Sequence, residues 1–569
     1  MKVRVADYIV NFLVNKDIRD IFVLTGFGAM YLNDAIVKEP RLRYYCVRNE
    51  AASPMMAEAY ARIKGSVGAV CLTAGPGSTN AIPGLAEAWV DSAPIMVFSG
   101  QVLKSQTTYM AGVPGLRSFG TAEINIVPIV KPMTKYAEMV TDPNQIKFHL
   151  EKAYYEATNG RPGPVWLDIP HDIQNAIIDT NKLVSFKPEK EKVSYSELET
   201  KIDQVVKLLN SSKKPIIIAG YGVRLSKAIE DFKLLLKAIK VPTIFARLGI
   251  DILPYSNPFN MGLGGIRGNK FANKIMKEAD LVIVIGARLA IPFVGNDLDV
   301  FNKKAKLVVV DIEEAELKKP GVRIDIPINS DAKIFIKKLL AKVSSKKMGT
   351  KNSWLKYCQK LKKTNPIIVS SMKKNPIDLY YFMSRLDAKA TKKNVLITDS
   401  GSNYYIGGQA WAFEGGQREI TSGTFGAMGL SIPLAIGVSV AQKKTQVLAV
   451  TGDGSLELNI QELKTMSYYN LNIKLFVINN GGYVSMRRWQ DTYFEGRRIG
   501  SDEMTGVPVL NLKNIALAFD LKYDVIESWQ DIDRKLDLIM SKTGALFVEV
   551  ISDNKQKLIS PNRTIGTLK

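Results

Sequence analysis

The sequence predicts an α/β fold made of three doubly wound parallel-sheet domains. Short β-rich apolar runs alternate with helical periodicity along nearly the whole chain. Several of those runs stop abruptly in turns rich in Gly, Asn or Asp, the punctuation of strand–helix junctions. A length of 569 residues suits three or four domains of roughly 150 residues each.

Residues 1–175 form the first expected domain. Val5–Lys16 is amphipathic. Ile21–Leu24 reads as a strand ending in Thr25-Gly26-Phe27-Gly28. Leu42–Val47 is a second, ending at Asn49-Glu50 and followed by an Ala- and Met-rich helix, Ala51–Ile63. Gly68–Thr73 ends in Gly75-Pro76-Gly77-Ser78-Thr79-Asn80, Ile95–Phe98 ends in Ser99-Gly100-Gln101, and Val165–Ile169 closes the domain. Residues 176–199 are charged and read as a linker. Residues 200–345 restart with a strand, Pro215–Ala219, then Gly220-Tyr221-Gly222 and a helix. Leu281–Gly286 and Lys306–Asp311 follow as strands of a Rossmann-like middle domain. The basic stretch 346–375 reads as a second linker. Residues 376–569 make the last domain, with a helix near Pro376–Leu386 and a strand, Val395–Thr398, ending in Asp399-Ser400-Gly401-Ser402-Asn403.

Composition narrows the function. Hydrophobic content of 46% is ordinary for a globular protein. No apolar run approaches the ~20 residues of a membrane span, and the N-terminus lacks a signal-peptide pattern. Cys46, Cys71 and Cys358 have no metal-binding spacing and suit a reducing, cytoplasmic setting. The net charge of +22 comes from scattered lysines, with small clusters at 187–192, 346–351 and 360–363. No basic stripe interleaved with aromatics marks a nucleic-acid partner, and no membrane partner is expected. A phosphate-bearing substrate is a second reading of that charge. His149 and His171 are the two histidines, which argues against serine–histidine triads and His-rich metal sites. An organic cofactor with its own acid–base group fits so little histidine.

The most informative stretch is Val447–Asn480. A strand-like run, Val447–Val450, ends in Gly452-Asp453-Gly454-Ser455. Leu456, Ile460, Leu463 and Met466 then fall on one helical face, and a second apolar run, Ile473–Ile478, ends in Asn479-Asn480. In a parallel sheet both strand ends lie on one edge, so Asp453 and Asn480 converge although 24 residues separate the GDG from the NN. One carboxylate and one amide oxygen make a sparse oxygen site suited to Mg²⁺ that also binds phosphate. The helix opening after Gly454 favours an anion. A plain Gly-rich αβ turn is the other reading of GDG alone.

This GDGS…NN pattern resembles the thiamine-diphosphate motif of the acetolactate synthase and pyruvate oxidase superfamily. The resemblance extends over nearly the whole chain and implies pyrimidine-binding, middle and diphosphate-binding domains in that order. It implies that Asp453, Asn480 and the Gly482 carbonyl hold Mg²⁺. It also implies that Gly452, Gly454, Ser455, Ser402 and Asn403 meet the diphosphate. NEAASPMMAEAYARIKG is similar to the family's activating-glutamate segment, with Glu50 in the glutamate's place. On the residues alone, Glu50 is a favourable partner for a helix N-terminus. The GPGSTN loop with Asn80, and Gly26, match positions lining the cofactor pocket, and Gln101 matches a glutamine that reaches the centre. TSGTFGAMG places Met428 where it would enforce a bent cofactor, with the Gly426 carbonyl accepting from the 4′-amino group. Core packing is the simpler use of a Met beside glycines. Arg161 and Asp311 match flavin-contacting positions, as Gly265–Gly268 does loosely, and imply FAD without net redox; a tight turn explains Gly220-Tyr221-Gly222 equally well.

NNGGYVSMRRWQDTYFEGRR resembles the synthase segment bearing the specificity tryptophan, with Trp489 in that position and Met486 as a bulky wall. A buried helix anchor is the alternative for Trp489. Three departures stand out. Asn49 replaces the usual histidine before the glutamate. Pro292 falls where the family's arginine grips the acceptor carboxylate, and Thr121-Ala122-Glu123 replaces FQE. The resemblance therefore implies a carboligase that decarboxylates pyruvate and transfers a hydroxyethyl unit to an acceptor carbonyl. A pyruvate acceptor gives 2-acetolactate; a keto-sugar or nucleotide sugar gives a branched sugar. A non-catalytic cofactor-binding protein is the reading from another class. At least a homodimer, or a homotetramer, is expected, with Glu50 of one subunit facing the diphosphate domain of another.

Overall fold

A computed structural model describes residues 1–189, 195–296, 298, 301, 303–345, 349, 351–443 and 445–559. Parts of the two expected linkers and of the lysine clusters at 187–192 and 346–351 lie outside them. Three six-stranded sheets organise the chain, and every strand pair within them is parallel. Their Val- and Ile-rich strands are buried along most of their length, as sheets covered on both faces require.

The first sheet runs Arg43–Cys46, Asp20–Val23, Gly68–Leu72, Ile95–Gln101, Val165–Pro170, Tyr136–Met139. The third runs Arg418–Ile420, Val395–Thr398, Val447–Gly452, Ile473–Asn479, Leu546–Ile551, Lys522–Ile526. Numbered along the chain, both have the order 2-1-3-4-6-5. The two ends of the protein thus repeat one architecture. The middle sheet runs Asn260–Leu263, Thr243–Phe245, Pro215–Ala219, Leu281–Ile285, Lys306–Asp311, Ile326–Asn329, the 3-2-1-4-5-6 order of dinucleotide-binding folds.

The stretches between sheets carry more structure than their charge suggests. Ile177–Asp179 pairs antiparallel with Lys2–Arg4. Asn352–Thr364 is a helix whose Trp354, Leu355 and Cys358 complete the apolar core beneath the middle sheet. Its lysines mask that apolar stripe in the sequence. No helix among the described residues is long and apolar enough to cross a membrane.

The first and third sheets share one core through the helices Ala52–Lys64 and Ser431–Ala441. Their approach is so close that a Cβ on Gly437 would lie 2.2 Å from the Met56 carbonyl oxygen. At the end of this contact the three sheets meet around a buried charge cluster. The Arg62 guanidinium donates to Glu58 (2.9 Å) and to the Thr421 carbonyl (2.8 Å), and lies over the Tyr221 ring. Asp91 accepts from the Gly423 N–H at 2.7 Å. Oxygens of Glu58, Glu87 and Asp91 lie within 4.8 Å of one another. Burial pushes Glu58 up to about 7 and Glu87 up to about 9, so the cluster retains protons at neutral pH.

Candidate active site

The third sheet reverses direction between Val395–Thr398 and Val447–Gly452, and a crevice opens beyond their carboxyl ends. Asp399 and Asp453 are the first residues past those two strands. Asp399 is fully buried and is saturated by donors. It accepts from the Ser400 N–H (2.7 Å), Asn403 Nδ2 (2.8 Å), Thr451 Oγ1 (2.8 Å) and Ser455 Oγ (2.6 Å). Burial raises its pKa, and these donors counter the rise. Ser455 Oγ also accepts the Gly429 N–H at 2.8 Å, which ties the loop bearing Gly426 and Met428 to the GDGS turn. Gly426 is exposed and Met428 half-buried, so neither is a core residue.

Asp453 docks the neighbouring strand end. Its Oδ2 accepts the N–H groups of Asn480, Gly481 and Gly482 at 3.1, 2.8 and 3.0 Å, and its Oδ1 accepts that of Gly454 at 2.8 Å. Successive N–H groups converge on one oxygen because Gly481 and Gly482 hold φ of 76° and 96°, which side-chain-bearing residues rarely adopt. Burial raises the Asp453 pKa, with these bonds acting against it. Arg487 locks the loop from behind, donating to the carbonyls of Asn480 (2.8 Å), Gly481 and Ser501 (3.2 Å). The Asn480 side-chain amide has no hydrogen bond among the described residues. Ser402 and Asn403 open the ten-residue helix Gly401–Ala410 on the same edge, and Asn403 Nδ2 also reaches the Val450 carbonyl at 3.0 Å. The helix expected after Gly454 is broken into Asp453–Leu456, a 3₁₀ turn and Glu462–Tyr468. Asn459, within the break, bonds the Gly429 carbonyl at 3.0 Å.

The reversal of the first sheet gathers a different set. The Thr73 hydroxyl accepts the Gly28 N–H at 3.0 Å, so the Gly26–Gly28 turn lies against the Gly75–Asn80 loop. Asn80 Nδ2 donates to Glu50 Oε2 at 3.3 Å. The backbone leading to Glu50 is held from the third domain: Glu462 Oε1 accepts the N–H groups of Arg48 (2.8 Å) and Asn49 (2.9 Å). Asn49 bonds Asn459 at 3.2 Å and accepts the Ala51 N–H at 3.1 Å. Asn459 thus links the Glu50 segment to the Gly429 loop and the GDGS turn, while the Glu50 carboxylate itself has no hydrogen bond to the Asp453 group among the described residues. Gln101 belongs to neither. It is buried, donates to Asp168 (3.1 Å) and the Ile124 carbonyl (3.0 Å), and accepts the Val102 N–H at 3.1 Å.

Met486 and Trp489 lie on the helix Val484–Tyr493 and are 49% and 44% exposed, so Trp489 is not a buried anchor. Trp489 stacks on Tyr493 and helps line a cavity of about 340 Å³. An adjoining cavity of about 420 Å³ contains Arg161 and Asp311 and shares Tyr221, Leu248, Gly286 and Arg288 with the first. The middle sheet reverses there, and Gly222 and Gly286 touch so closely that a Cβ on Gly222 would lie 2.7 Å from the Gly286 Cα. Arg161 donates to Ser92 (2.9 Å) and Glu316 (3.3 Å), and burial raises the pKa of Asp311. His149 bonds the Tyr136 hydroxyl at 2.7 Å, while His171 stacks on Phe27; neither is near Asp453 in the hydrogen-bond network.

Glu462 and Arg487 were not singled out by residue type or spacing. Asp399 was read only within the strand-end segment Asp399–Asn403 that resemblance assigns to the diphosphate.

Comparison with known proteins matches residues 3–123 to the N-terminal TPP binding domain of thiamine pyrophosphate enzymes, 202–339 to their central domain and 399–550 to their C-terminal TPP binding domain. The chain is 31% identical to the acetolactate synthase large subunit of Cyanidium caldarium, covering 98% of this chain and 95% of that protein. It is 32% identical to that of Lactococcus lactis subsp. lactis, covering 95% and 91%. A probable acetolactate synthase large subunit of Methanocaldococcus jannaschii is 30% identical over 97% and 92% of the two chains. With the strand-end carboxylates in place and similarity running from end to end, the chain belongs to the thiamine pyrophosphate enzyme family, as an enzyme of the acetolactate synthase type.

Proposed function

We propose that this carboligase uses thiamine diphosphate and Mg²⁺ to decarboxylate pyruvate and to transfer the two-carbon hydroxyethyl unit to an acceptor carbonyl. With pyruvate as acceptor the product is 2-acetolactate. The observation carrying this reading is the cradle at the third sheet's reversal, where Asp453, Asn480 and Gly482 share one edge with a helix N-terminus. The names of the relatives support the substrate.

The residues fit the cofactor and its metal. Three of the four N–H donors to Asp453 converge on Oδ2 and one on Oδ1, so Oδ1 of Asp453 keeps a lone pair for a cation. The uncommitted Asn480 amide and the Gly482 carbonyl supply neutral oxygens, the hard set that Mg²⁺ prefers. Ser402, Asn403 and the Gly452–Ser455 turn would hold the diphosphate at two helix starts. Thiamine diphosphate, when bound, supplies a nucleophilic carbon and an electron-accepting ring for decarboxylation. Glu50 would hold a proton opposite N1′ of the aminopyrimidine, with the Asn80 amide orienting its carboxylate. Met428 would wedge the cofactor into its bent shape, and the Gly426 carbonyl would accept from its 4′-amino group. Met486 and Trp489 would exclude water and shape the acceptor side, and Gln101 would position the loop at Ile124.

The adjoining cavity fits FAD. Arg161 and Arg288 are cationic, Asp311 can accept from a ribose, and the Gly222–Gly286 contact leaves bare backbone for close approach. Assembly as a homodimer or homotetramer is supported by exposed apolar side chains near both half-sites. Phe27, Tyr109, Val113 and Phe119 lie on the first domain, and Phe425, Phe494, Ile499 and Met504 on the third. The three unpaired cysteines support a cytoplasmic setting.

Purified protein given pyruvate, thiamine diphosphate and Mg²⁺ tests the reading, with products identified by mass spectrometry. Acetolactate confirms it. CO₂ release without acetolactate moves the acceptor to a keto-sugar. No turnover of pyruvate refutes the donor.

A further inference from the structure

The helix Gly401–Ala410 runs from the proposed cofactor cradle to the middle domain. Its first turn carries Ser402 and Asn403. Its last turn, roughly 15 Å away at about 1.5 Å per residue, carries Gln409. Gln409 is 5% exposed and joins three segments that are distant in sequence. The two hydrogens on its Nε2 are shared among the carbonyls of Arg267 (2.9 Å), Gly268 (3.3 Å) and Ile559 (2.8 Å). Its Oε1 accepts from the Tyr380 hydroxyl at 2.5 Å. Tyr380 is fully buried, and its hydroxyl accepts the Ile559 N–H at 2.8 Å, which closes a ring of hydrogen bonds. With three carbonyls around the nitrogen, the amide can point only one way.

The Arg267–Gly268 turn belongs to the middle domain. It is held there by the Gly268 N–H on the Gly265 carbonyl (2.9 Å) and by the Ile266 N–H on the Pro292 carbonyl (3.1 Å). Ile266 and Arg267 line the cavity beside Trp489, which adjoins the cavity proposed for FAD. The turn meets the helix a second time where the Arg267 guanidinium lies 5.2 Å from the Tyr405 ring centroid. Residues 553–559 form no helix or strand and are held by side chains, with Gln556 Oε1 accepting the Leu379 N–H at 2.9 Å. Without the Gln409 amide, carbonyls of the turn and of Ile559 would lose a donor where little water reaches them.

We propose that Gln409 is a positioning residue that couples the cofactor cradle to the middle-domain turn. It fixes the turn to the far end of the helix whose start meets the diphosphate, so a ligand that orders one tightens the other. The inference rests on the cofactor and flavin readings above. Coupling of this kind is reciprocal.

The test follows backbone hydrogen–deuterium exchange by mass spectrometry in the full-length protein, with and without thiamine diphosphate and Mg²⁺. Gln409→Leu keeps most of the volume and removes every hydrogen bond of the amide. Tyr380→Phe removes the bonds on the Ile559 side and leaves those to the turn. Without cofactor, Gln409→Leu is expected to speed exchange across 262–269 about 10- to 100-fold, with the strand Val447–Gly452 unchanged. Tyr380→Phe is expected to leave 262–269 within about twofold of wild type. With cofactor, wild type slows at 480–482 and at 262–269, whereas Gln409→Leu keeps the first effect and loses the second. Unchanged exchange at 262–269 in Gln409→Leu overturns the proposal. An equal rise in Val447–Gly452 marks general loosening and also overturns it. Wild type that slows at 480–482 but not at 262–269 overturns it too, and this arm decides if Gln409→Leu does not fold. FAD affinity, read by flavin fluorescence, is expected to rise about 5- to 20-fold when cofactor is added to wild type and less than about twofold in Gln409→Leu. Equal gains in both overturn the coupling. No slowing at 480–482 in wild type refutes the cofactor reading separately, and no FAD binding refutes the flavin reading; exchange at 262–269 without cofactor then decides whether Gln409 holds the turn.

Discussion

The first and third sheets have the same strand order, yet their points of reversal carry opposite chemistry. At the third, two buried carboxylates are densely bonded: Asp399 by four donors, and Asp453 by four N–H groups, three of them on Oδ2 and one on Oδ1. At the first, Glu50 meets one amide, from Asn80, among glycine-rich turns. The shared topology makes a crevice at each reversal, and the residues at the strand ends decide its use. The proposed cradle for a cation and an anion rests on the densely bonded pair, and the proposed proton transfer on the sparsely bonded Glu50.

Substitutions at the two reversals should therefore fail differently. Asp453→Ala removes the acceptor of the 480–482 loop and the charged member of the proposed metal set. Cofactor binding, followed by fluorescence quenching, should be lost, and pyruvate turnover should fall at least about a thousandfold. Glu50→Gln keeps shape and hydrogen-bonding reach. It should bind cofactor within a few-fold of wild type yet lose about 10²–10⁴ in turnover. Equal loss of cofactor affinity in both variants would erase the distinction. Asp399→Asn retains an oxygen but not the charge, and should weaken cofactor affinity about 10- to 100-fold, read by the same titration.

The smallest effect concerns the cluster joining the sheets. Glu87 rises from 4.5 to about 9 on folding because burial and the neighbouring carboxylates disfavour its charge. The folded chain then binds a proton that the unfolded chain releases. Its contribution is complete below pH 4.5, erodes above it and is gone once pH passes about 9. Melting temperature should fall between pH 5 and pH 9. Glu87→Gln should reduce that fall by a few degrees, of the order expected for ~1–3 kcal/mol. An unchanged pH slope in calorimetry would remove Glu87 from the cause.

Much of this was legible in the sequence for identifiable reasons. The Asp453–Asn480 pairing could be read because strand ends of a parallel crossover must share an edge. The alternation of runs exposed the sheets, but not the strand Tyr136–Met139, whose YAEM has no distinctive pattern. The repeated 2-1-3-4-6-5 order was hidden because strand order depends on pairing, not on local composition. Glu462 and Arg487 were invisible because each acts on backbone groups of another segment, 413 and 7 residues away, leaving no side-chain signature. Gln101 was expected by resemblance to reach the centre; its side chain instead bonds Asp168, 67 residues away, and the Ile124 carbonyl, partners that spacing does not show.

The most direct test of the account mixes two inactive proteins. Glu50→Gln and Asp453→Ala subunits are unfolded, refolded together and assayed for pyruvate consumption. If one centre combines the first reversal of one subunit with the third reversal of another, mixed dimers carry one intact site, and about a quarter of wild-type activity returns on random pairing. Activity no higher than that of either variant alone, from mixtures shown to contain mixed dimers, would contradict the shared centre.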